Sequence, residues 1–285
     1  MAAEAQPEDV MNARRWFWGL LLGFLALHLV LAVSLPLSGD EAYYWDCSRH
    51  LDWSYFDQPP LVIWAMVPFR WVFGETRLAV RAPALLASLL AGLFLLGLIR
   101  RLGGGEREAA WAYLALHGMP LFFVGAFYTS TDIAMATAYL GATWAAVALA
   151  QGERWAWWGF GLATGLGFLA KFPVVLVLPA LVPALWNRAT RRQLATPTPW
   201  LAGMMSFLLT SPVWIWGARH RWDNITFQLE GRHQVHSIGL HYVLEFLGAN
   251  LLLATPFLAI ALAIAWWRGW RHRDPAWTAA LIATA

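Results

Sequence analysis

From Trp16 onward the chain alternates apolar runs with short charged breaks. A helix needs about 20 apolar residues to cross a hydrocarbon layer of roughly 30 Å. The runs that approach this length are 16–35, 78–99, 109–127, 132–150, 155–170, 172–187, 198–217 and 241–267, with another beginning at 276. The pattern predicts an all-α polytopic membrane protein with about 8–9 transmembrane helices. The first run follows Arg14 and Arg15, exceeds the length of a signal core and lacks a small-residue cleavage pattern, so it reads as an uncleaved first helix. Residues 1–15 ahead of it are expected to be a disordered cytoplasmic N-terminus, and 16–285 one transmembrane domain.

Breaks in the pattern shape the rest. The apolar stretch from Trp155 to Trp186 is too long for one straight helix, and Lys171-Phe172-Pro173 interrupts it, which predicts two short helices meeting at Lys171. Pro59 to Gly74 is too short to span, and its Trp and Phe content suits a helix lying in the membrane interface. It falls in the first of two long polar loops, 36–77, the second being 218–240.

With a cytoplasmic N-terminus, the inner side holds 12 of the 20 cations, Arg14, Arg15, Arg100, Arg101, Arg107, Arg154, Arg188, Arg191, Arg192, Arg268, Arg271 and Arg273. The outer side then holds 10 of the 17 acids, most of them in the two long loops. The outer cations sit among those acids, as a binding site requires.

The composition agrees: 59% hydrophobic and 13% charged residues, with mean hydropathy +0.50, lie far from the soluble balance of about 25% charged. The net charge of +3 is scattered in small clusters, which points to membrane lipids and phosphates as partners and not to nucleic acid. Cys47 is the sole cysteine, so there is neither an intrachain disulfide nor a cysteine zinc site.

Chemistry concentrates where Ser38-Gly39-Asp40-Glu41-Ala42-Tyr43-Tyr44-Trp45 follows the first run, placing paired carboxylates at a membrane surface. Asp40 is expected at the outer end of the first helix, where a carboxylate can serve as general base on an acceptor hydroxyl, with Glu41 tuning it or binding metal. Alternatively the pair simply ends a helix in water. Asp132, in Tyr128-Thr129-Ser130-Thr131-Asp132, is a second acid on that side, and Ser130 or Thr131 can cap the following helix. Lys171, the single lysine, is expected to face a lipid phosphate, or else to snorkel to the interface. In the second loop Arg219, His220, Arg221 and Arg232 alternate with Trp and Phe, a set suited to phosphate oxygens and sugar faces. His220, His233 and His236 fit no compact metal spacing, so no metal site is assigned, although Glu75 or Glu41 could complete one in space. His28 and His117 lie within runs and read as packing residues.

These runs resemble bacterial membrane glycosyltransferases of the C-type fold, the protein-mannosyltransferase and aminoarabinose-transferase-like group. The matching pieces are Asp40 to Trp45, Tyr55-Phe56-Asp57-Gln58-Pro59-Pro60-Leu61, Phe73-Gly74-Glu75 with Arg77 and Arg81-Ala82-Pro83, Thr131-Asp132, Gly165 to Pro173, and Pro212 to Trp216 followed by His220-Arg221-Trp222. They cover most of the chain from Leu35 to His233. The resemblance implies an inverting transferase that moves a sugar from a polyprenyl phosphate to a glycan, lipid A or protein acceptor on the outer face of the bacterial inner membrane. Asp40, Glu41 and Asp132 take the catalytic positions, and Tyr43, Tyr44, Asp57, Gln58, Arg81, Lys171, Arg219, His220 and Arg232 the substrate-binding ones. Family members continue well past 285 residues, which reads this chain as truncated at its C-terminus. A flippase of lipid-linked sugars is the alternative, but it needs sites reachable from both sides, whereas these acids gather on one.

Overall fold

In the computed structural model, residues 7–231, 239–254, 263–264, 267 and 274–284 are described. They are all helix and turn, with no strand among them. The order is α1 (Pro7–Ser34), α2 (Gly39–Cys47), α3 (Leu61–Phe73), α4 (Arg77–Arg101), α5 (Glu106–His117), α6 (Pro120–Gly125), α7 (Thr131–Ala150), α8 (Ala156–Ala170), a 3-10 run (Phe172–Ala180), α9 (Leu181–Ala184), α10 (Arg188–Gln193), α11 (Pro197–Arg219), α12 (Asp223–Thr226), a π turn (Phe227–Gly231), α13 (Leu240–Ala254) and a last helix, Pro275–Thr284. By length and composition four helices among the described residues can cross a membrane: Met11–Ser34 of α1, and α4, α7 and α11; Leu61–Phe73, Ala156–Ala170 and Phe172–Ala184 are shorter apolar segments.

Several expectations change. Residues 7–15, expected to be disordered, are helical, with Pro7 opening α1. The expected 109–127 span is two helices, because Pro120 holds the preceding Met119 in extended conformation. Lys171 does divide the long stretch, in extended conformation itself, but the second half is mainly 3-10 helix. Pro173, Pro179 and Pro183 each remove an N–H donor from it. The expected 241–267 span is described chiefly over Leu240–Ala254.

The long helices pack in a row, α1 on α4, α4 on α7, α7 on α8 and α8 on α11, with the last helix against α7. Small residues allow the close approach that packing in lipid depends on. Ala142, Ala145, Ala146 and Ala148 of α7 meet Ala156 of α8 and Ala276, Ala279 and Ala280 of the last helix in one fully buried cluster. Gly161 of α8 lies so close to α11 that a Cβ there would stand 2.5 Å from the Ala202 carbonyl.

One end of the bundle gathers the start of α4, the start of α7 and the ends of α1, α8 and α11. The other gathers Arg100, Arg101, Arg154, Arg188, Arg191 and Arg192. Contacts close each end: Arg101 donates to Gln151, and Asn187 to the Ala150 carbonyl, at the arginine-rich end. At the acidic end Trp216 donates to Asp52 (2.8 Å) and Gln228 to the Asp57 carbonyl (2.7 Å), so the loop before α3 packs on the end of α11 and the turn beyond it.

Candidate active site

Leu35-Pro36-Leu37 stops α1, and Ser38 then starts a new helix. Ser38 and Glu41 form a capping box: the Glu41 N–H donates to Ser38 Oγ (3.2 Å) and the Ser38 N–H to Glu41 Oε2 (3.0 Å). Asp40 therefore stands in the first turn of α2, not at the end of α1, and it is exposed.

The two adjacent acids have opposite surroundings. Glu41 is wholly buried, and its Oε1 and Oε2 accept from Arg81 Nε (2.7 Å) and Nη2 (2.8 Å). Arg81, 2% exposed, also donates to the carbonyls of Leu31, Ala32, Leu35 and Pro36. Every donor nitrogen of Arg81 is thus engaged in tying the end of α1 to α2. The positions expected for catalysis by Glu41 and for substrate binding by Arg81 are occupied by this clamp.

Asp40 is held from the loop between α6 and α7. Ser38 Oγ donates to Tyr128 Oη (3.0 Å), and Tyr128 Oη donates to Asp40 Oδ2 (3.2 Å). Burial and the charge of Asp40 raise the Tyr128 phenol above its ordinary value, so it remains a neutral donor. The next residue, Thr129, donates its N–H to Glu41 Oε1 (3.4 Å) and its hydroxyl to the Val80 carbonyl (2.8 Å), fixing this loop against both α2 and α4.

Asp132 lies in the first turn of α7, capped by Ser130, whose hydroxyl accepts from the Ile133 N–H. Lys171 Nζ donates to Asp132 Oδ1 (2.6 Å), both side chains half-exposed. Lys171, expected to meet a lipid phosphate, thus has a protein carboxylate as partner, with two ammonium hydrogens beyond that bond. Tyr43 donates to Asp57 Oδ1 (2.8 Å). Burial, then the charges of Asp40, Tyr128, Asp57 and Asp132, raise the Tyr44 phenol well above its ordinary range, which brings three of the predicted acids around one side chain. Gln58 is buried, and its Nε2 has no hydrogen-bond partner among the described residues.

On the α11 side, the exposed His220 ring stacks on Trp216 (3.9 Å between centroids), and its Nδ1 lies 2.9 Å from the Trp216 carbonyl. Arg219 is exposed at the end of α11. Arg221 and Trp222 both take positive φ, 55° and 65°, folding the Trp222 ring onto Gly217, where a Cβ would lie 2.8 Å from it. Arg232, His233 and His236 lie outside the described residues. Among the described residues no group of three or more His, Cys, Asp or Glu could hold a metal ion.

Below this polar layer an apolar cavity of about 480 Å³ runs between α3, α4, α7 and α8. Thr129 and Ser130 line its upper end and Trp144 its lower, a depth of about 21 Å along α7. Sequence reasoning did not single out Tyr128 or Ser38, although both stand inside the quoted runs; a hydroxyl two residues before paired acids was the available sign.

The sequence model of the dolichyl-phosphate-mannose-protein mannosyltransferase family matches residues 57–216, more than half of the chain. The chain belongs to this family. The match contains Asp57, Gln58, Arg81, Asp132 and Lys171 and begins after Asp40. Among curated relatives, the undecaprenyl phosphate-α-4-amino-4-deoxy-L-arabinose arabinosyl transferase of Edwardsiella ictaluri is 30% identical over 67% of this chain and 39% of its own length. A corresponding protein of Sodalis glossinidius is 31% identical over 68% of this chain and 39% of its own length. The lipid A galacturonosyltransferase of Rhizobium johnstonii is 28% identical over 82% of this chain and 50% of its own. This chain therefore spans about two fifths to one half of these relatives' length. Among solved structures, ArnT from Cupriavidus metallidurans in the apo state is similar with a TM-score of 0.70 and 22% identity, over 94% of this chain and 52% of that one. Its undecaprenyl phosphate-bound form gives a TM-score of 0.67 and 21% identity, over 94% and 53%. The fold is that of ArnT's corresponding half, and the protein is a multi-pass membrane protein.

Proposed function

We propose that this protein transfers a sugar from a polyprenyl phosphate to a hydroxyl of a lipid acceptor of the lipid A class, at the acidic end of the bundle. The observation that carries this reading is a cluster of acids and one lysine at the polar mouth of a deep apolar cavity: Asp40 is bonded to Tyr128, and the next two residues line the cavity wall. An isoprenoid chain fits the cavity by chemistry, with its phosphate and sugar at the mouth. Relatives named for undecaprenyl-phosphate arabinosyl transfer and for lipid A galacturonosyl transfer support the donor and acceptor classes. Family membership favours transfer over transport.

In the proposed step, the acceptor hydroxyl oxygen attacks the anomeric carbon while Asp40 takes its proton, and the bond from that carbon to the phosphate oxygen breaks, its electron pair leaving with the lipid phosphate. A single displacement inverts the anomeric centre. Lys171 and Arg219 stabilise the charge that develops on the leaving phosphate, and the Gln58 amide supplies a further donor. A lipid phosphate leaves without the metal clamp that a nucleotide diphosphate calls for, so the reading requires no divalent ion. Glu41 and Arg81 act as positioning residues, fixing the turn that carries Asp40. The arginine-rich end faces the cytoplasm and the acids face outward across the inner membrane, following the bias of cations towards the cytoplasm.

The test is transfer from a radiolabelled polyprenyl-phosphate sugar by membranes containing the protein or its Asp40→Asn variant, with mass spectrometry of lipid A to identify the acceptor. A folded variant with undiminished transfer overturns Asp40 as the base.

A further inference from the structure

At the arginine-rich end, Arg188, Arg191 and Arg192 stand on the two turns of α10 at spacings of three and four residues. That spacing puts all three on one face, where like charges repel. All are exposed, and none is ion-paired among the described residues. Arg191 donates to the carbonyls of Leu185 and Trp186, and the guanidinium of nearby Arg154 is anchored to Thr198 by two bonds of 3.0 and 2.8 Å. The opposite face of α10 is buried at Thr190, so the charged face is turned away from the bundle. The undescribed stretch 268–273 adds Arg268, Arg271 and Arg273 and no acid.

An apolar groove of about 480 Å³ lies between α8 and α11 and reaches the end of α10 at Leu194, two residues from Arg192; Trp157, Trp200, Gly203, Met204 and Phe207 line the rest. Its mouth is fixed to α10: Trp157 Nε1 donates to Gln193 Oε1 (2.8 Å), and Trp200 Nε1 to the Leu194 carbonyl (2.9 Å). Trp200, Met204 and Phe207 are 69%, 52% and 65% exposed on a helix apolar enough to cross a membrane, so the groove opens towards lipid.

We propose that this groove is a binding site for an anionic phospholipid, whose headgroup phosphate meets Arg188, Arg191, Arg192 and Arg154 and whose acyl chain lies between Trp200 and Phe207. Charge complementarity selects the occupant: an apolar slot beside guanidinium groups that have no carboxylate partner among the described residues matches an amphiphile with a negative head. The lipid is not a substrate of the proposed transfer. Its phosphate sits beyond the start of α8, about 22 Å of helix from Lys171 at the other end. The site thus holds α8 and α11 together from the opposite leaflet, and the inference does not rest on the transferase reading.

The experiment is native mass spectrometry of the detergent-purified protein titrated with phosphatidylglycerol or phosphatidylcholine, together with Arg188→Gln/Arg191→Gln/Arg192→Gln and Gly203→Leu variants. A Cβ at Gly203 meets nothing within 4 Å, so leucine there extends into the groove without disturbing the bundle. Wild type is expected to retain phosphatidylglycerol at least tenfold better than phosphatidylcholine. Each arginine contributes about fivefold, so the triple variant loses the preference, while Gly203→Leu weakens both lipids. Equal retention of the two lipids by wild type overturns the proposal, and this arm needs no variant to fold. A preference left unchanged by the triple variant also overturns it, as does displacement of phosphatidylglycerol by millimolar inorganic phosphate alone, or dimerisation that covers the groove.

Discussion

Replacing Arg81 by methionine tests how the site is assembled. Arg81 and Glu41 are 2% and 0% exposed at the side chain, and the guanidinium serves two carboxylate oxygens and four carbonyls. Methionine fills the space but leaves the Glu41 carboxylate buried without its counter-charge, a loss of about 3–5 kcal/mol when one partner of a buried pair is removed. For a chain of this size that corresponds to a fall in Tm of about 10 °C. Arg81→Lys keeps the charge but cannot span both oxygens and the carbonyls, so its loss falls between wild type and methionine. The double variant Glu41→Gln/Arg81→Met removes both charges and is expected to cost less than the sum of the two single variants, because residues in one network do not add. Thermal unfolding in detergent, followed by tryptophan fluorescence, reads wild type and the four variants Arg81→Met, Arg81→Lys, Glu41→Gln and Glu41→Gln/Arg81→Met. The reasoning is refuted if Arg81→Met lies within about 1 kcal/mol of wild type, or if the double variant equals the sum of the singles.

Tyr128→Phe removes the donor to Asp40 without altering the packing, and a hydrogen bond to a charged group of this kind is expected to be worth about 10- to 100-fold in transfer rate with unchanged Tm. Lys171→Met leaves Asp132 without its cation and is expected to lower kcat more than it raises KM for the lipid donor, as measured by initial rates. His28 has two buried ring nitrogens without a partner among the described residues, so His28→Leu is expected to raise Tm; a fall of several degrees shows the imidazole to be bonded. The hydrogen bonds from Arg70 and then Trp45 hold Glu75 below its ordinary value of 4.5, so this clamp is intact above that pH and is lost as pH falls through the lowered value. Trp45 fluorescence in an acid titration should therefore change only as pH falls below the ordinary carboxylate value in wild type, and Glu75→Gln should abolish that transition.

The run from Asp40 to Trp45, the uncapped apolar stretches and the proline at 173 carried their own meaning, because membrane burial writes itself as composition and prolines break helices locally. Helix identity, the division at Lys171 and the gathering of acids at one end were therefore legible in the chain. The same local logic failed where a few residues decide: a proline at 120 split an expected span, and α1 begins as early as Pro7. What separated Asp40 from Glu41 was not local at all. The two are neighbours of like chemistry in the sequence, yet one is exposed beside Tyr128 and the other is buried against Arg81, 40 residues away. Lys171 found Asp132 across 39 residues in the same way. Sequence by itself determined which residues could carry charge at the membrane surface. Tertiary structure decided which of them were already neutralised by a partner, since pairing depends on distances between helices that no linear spacing records.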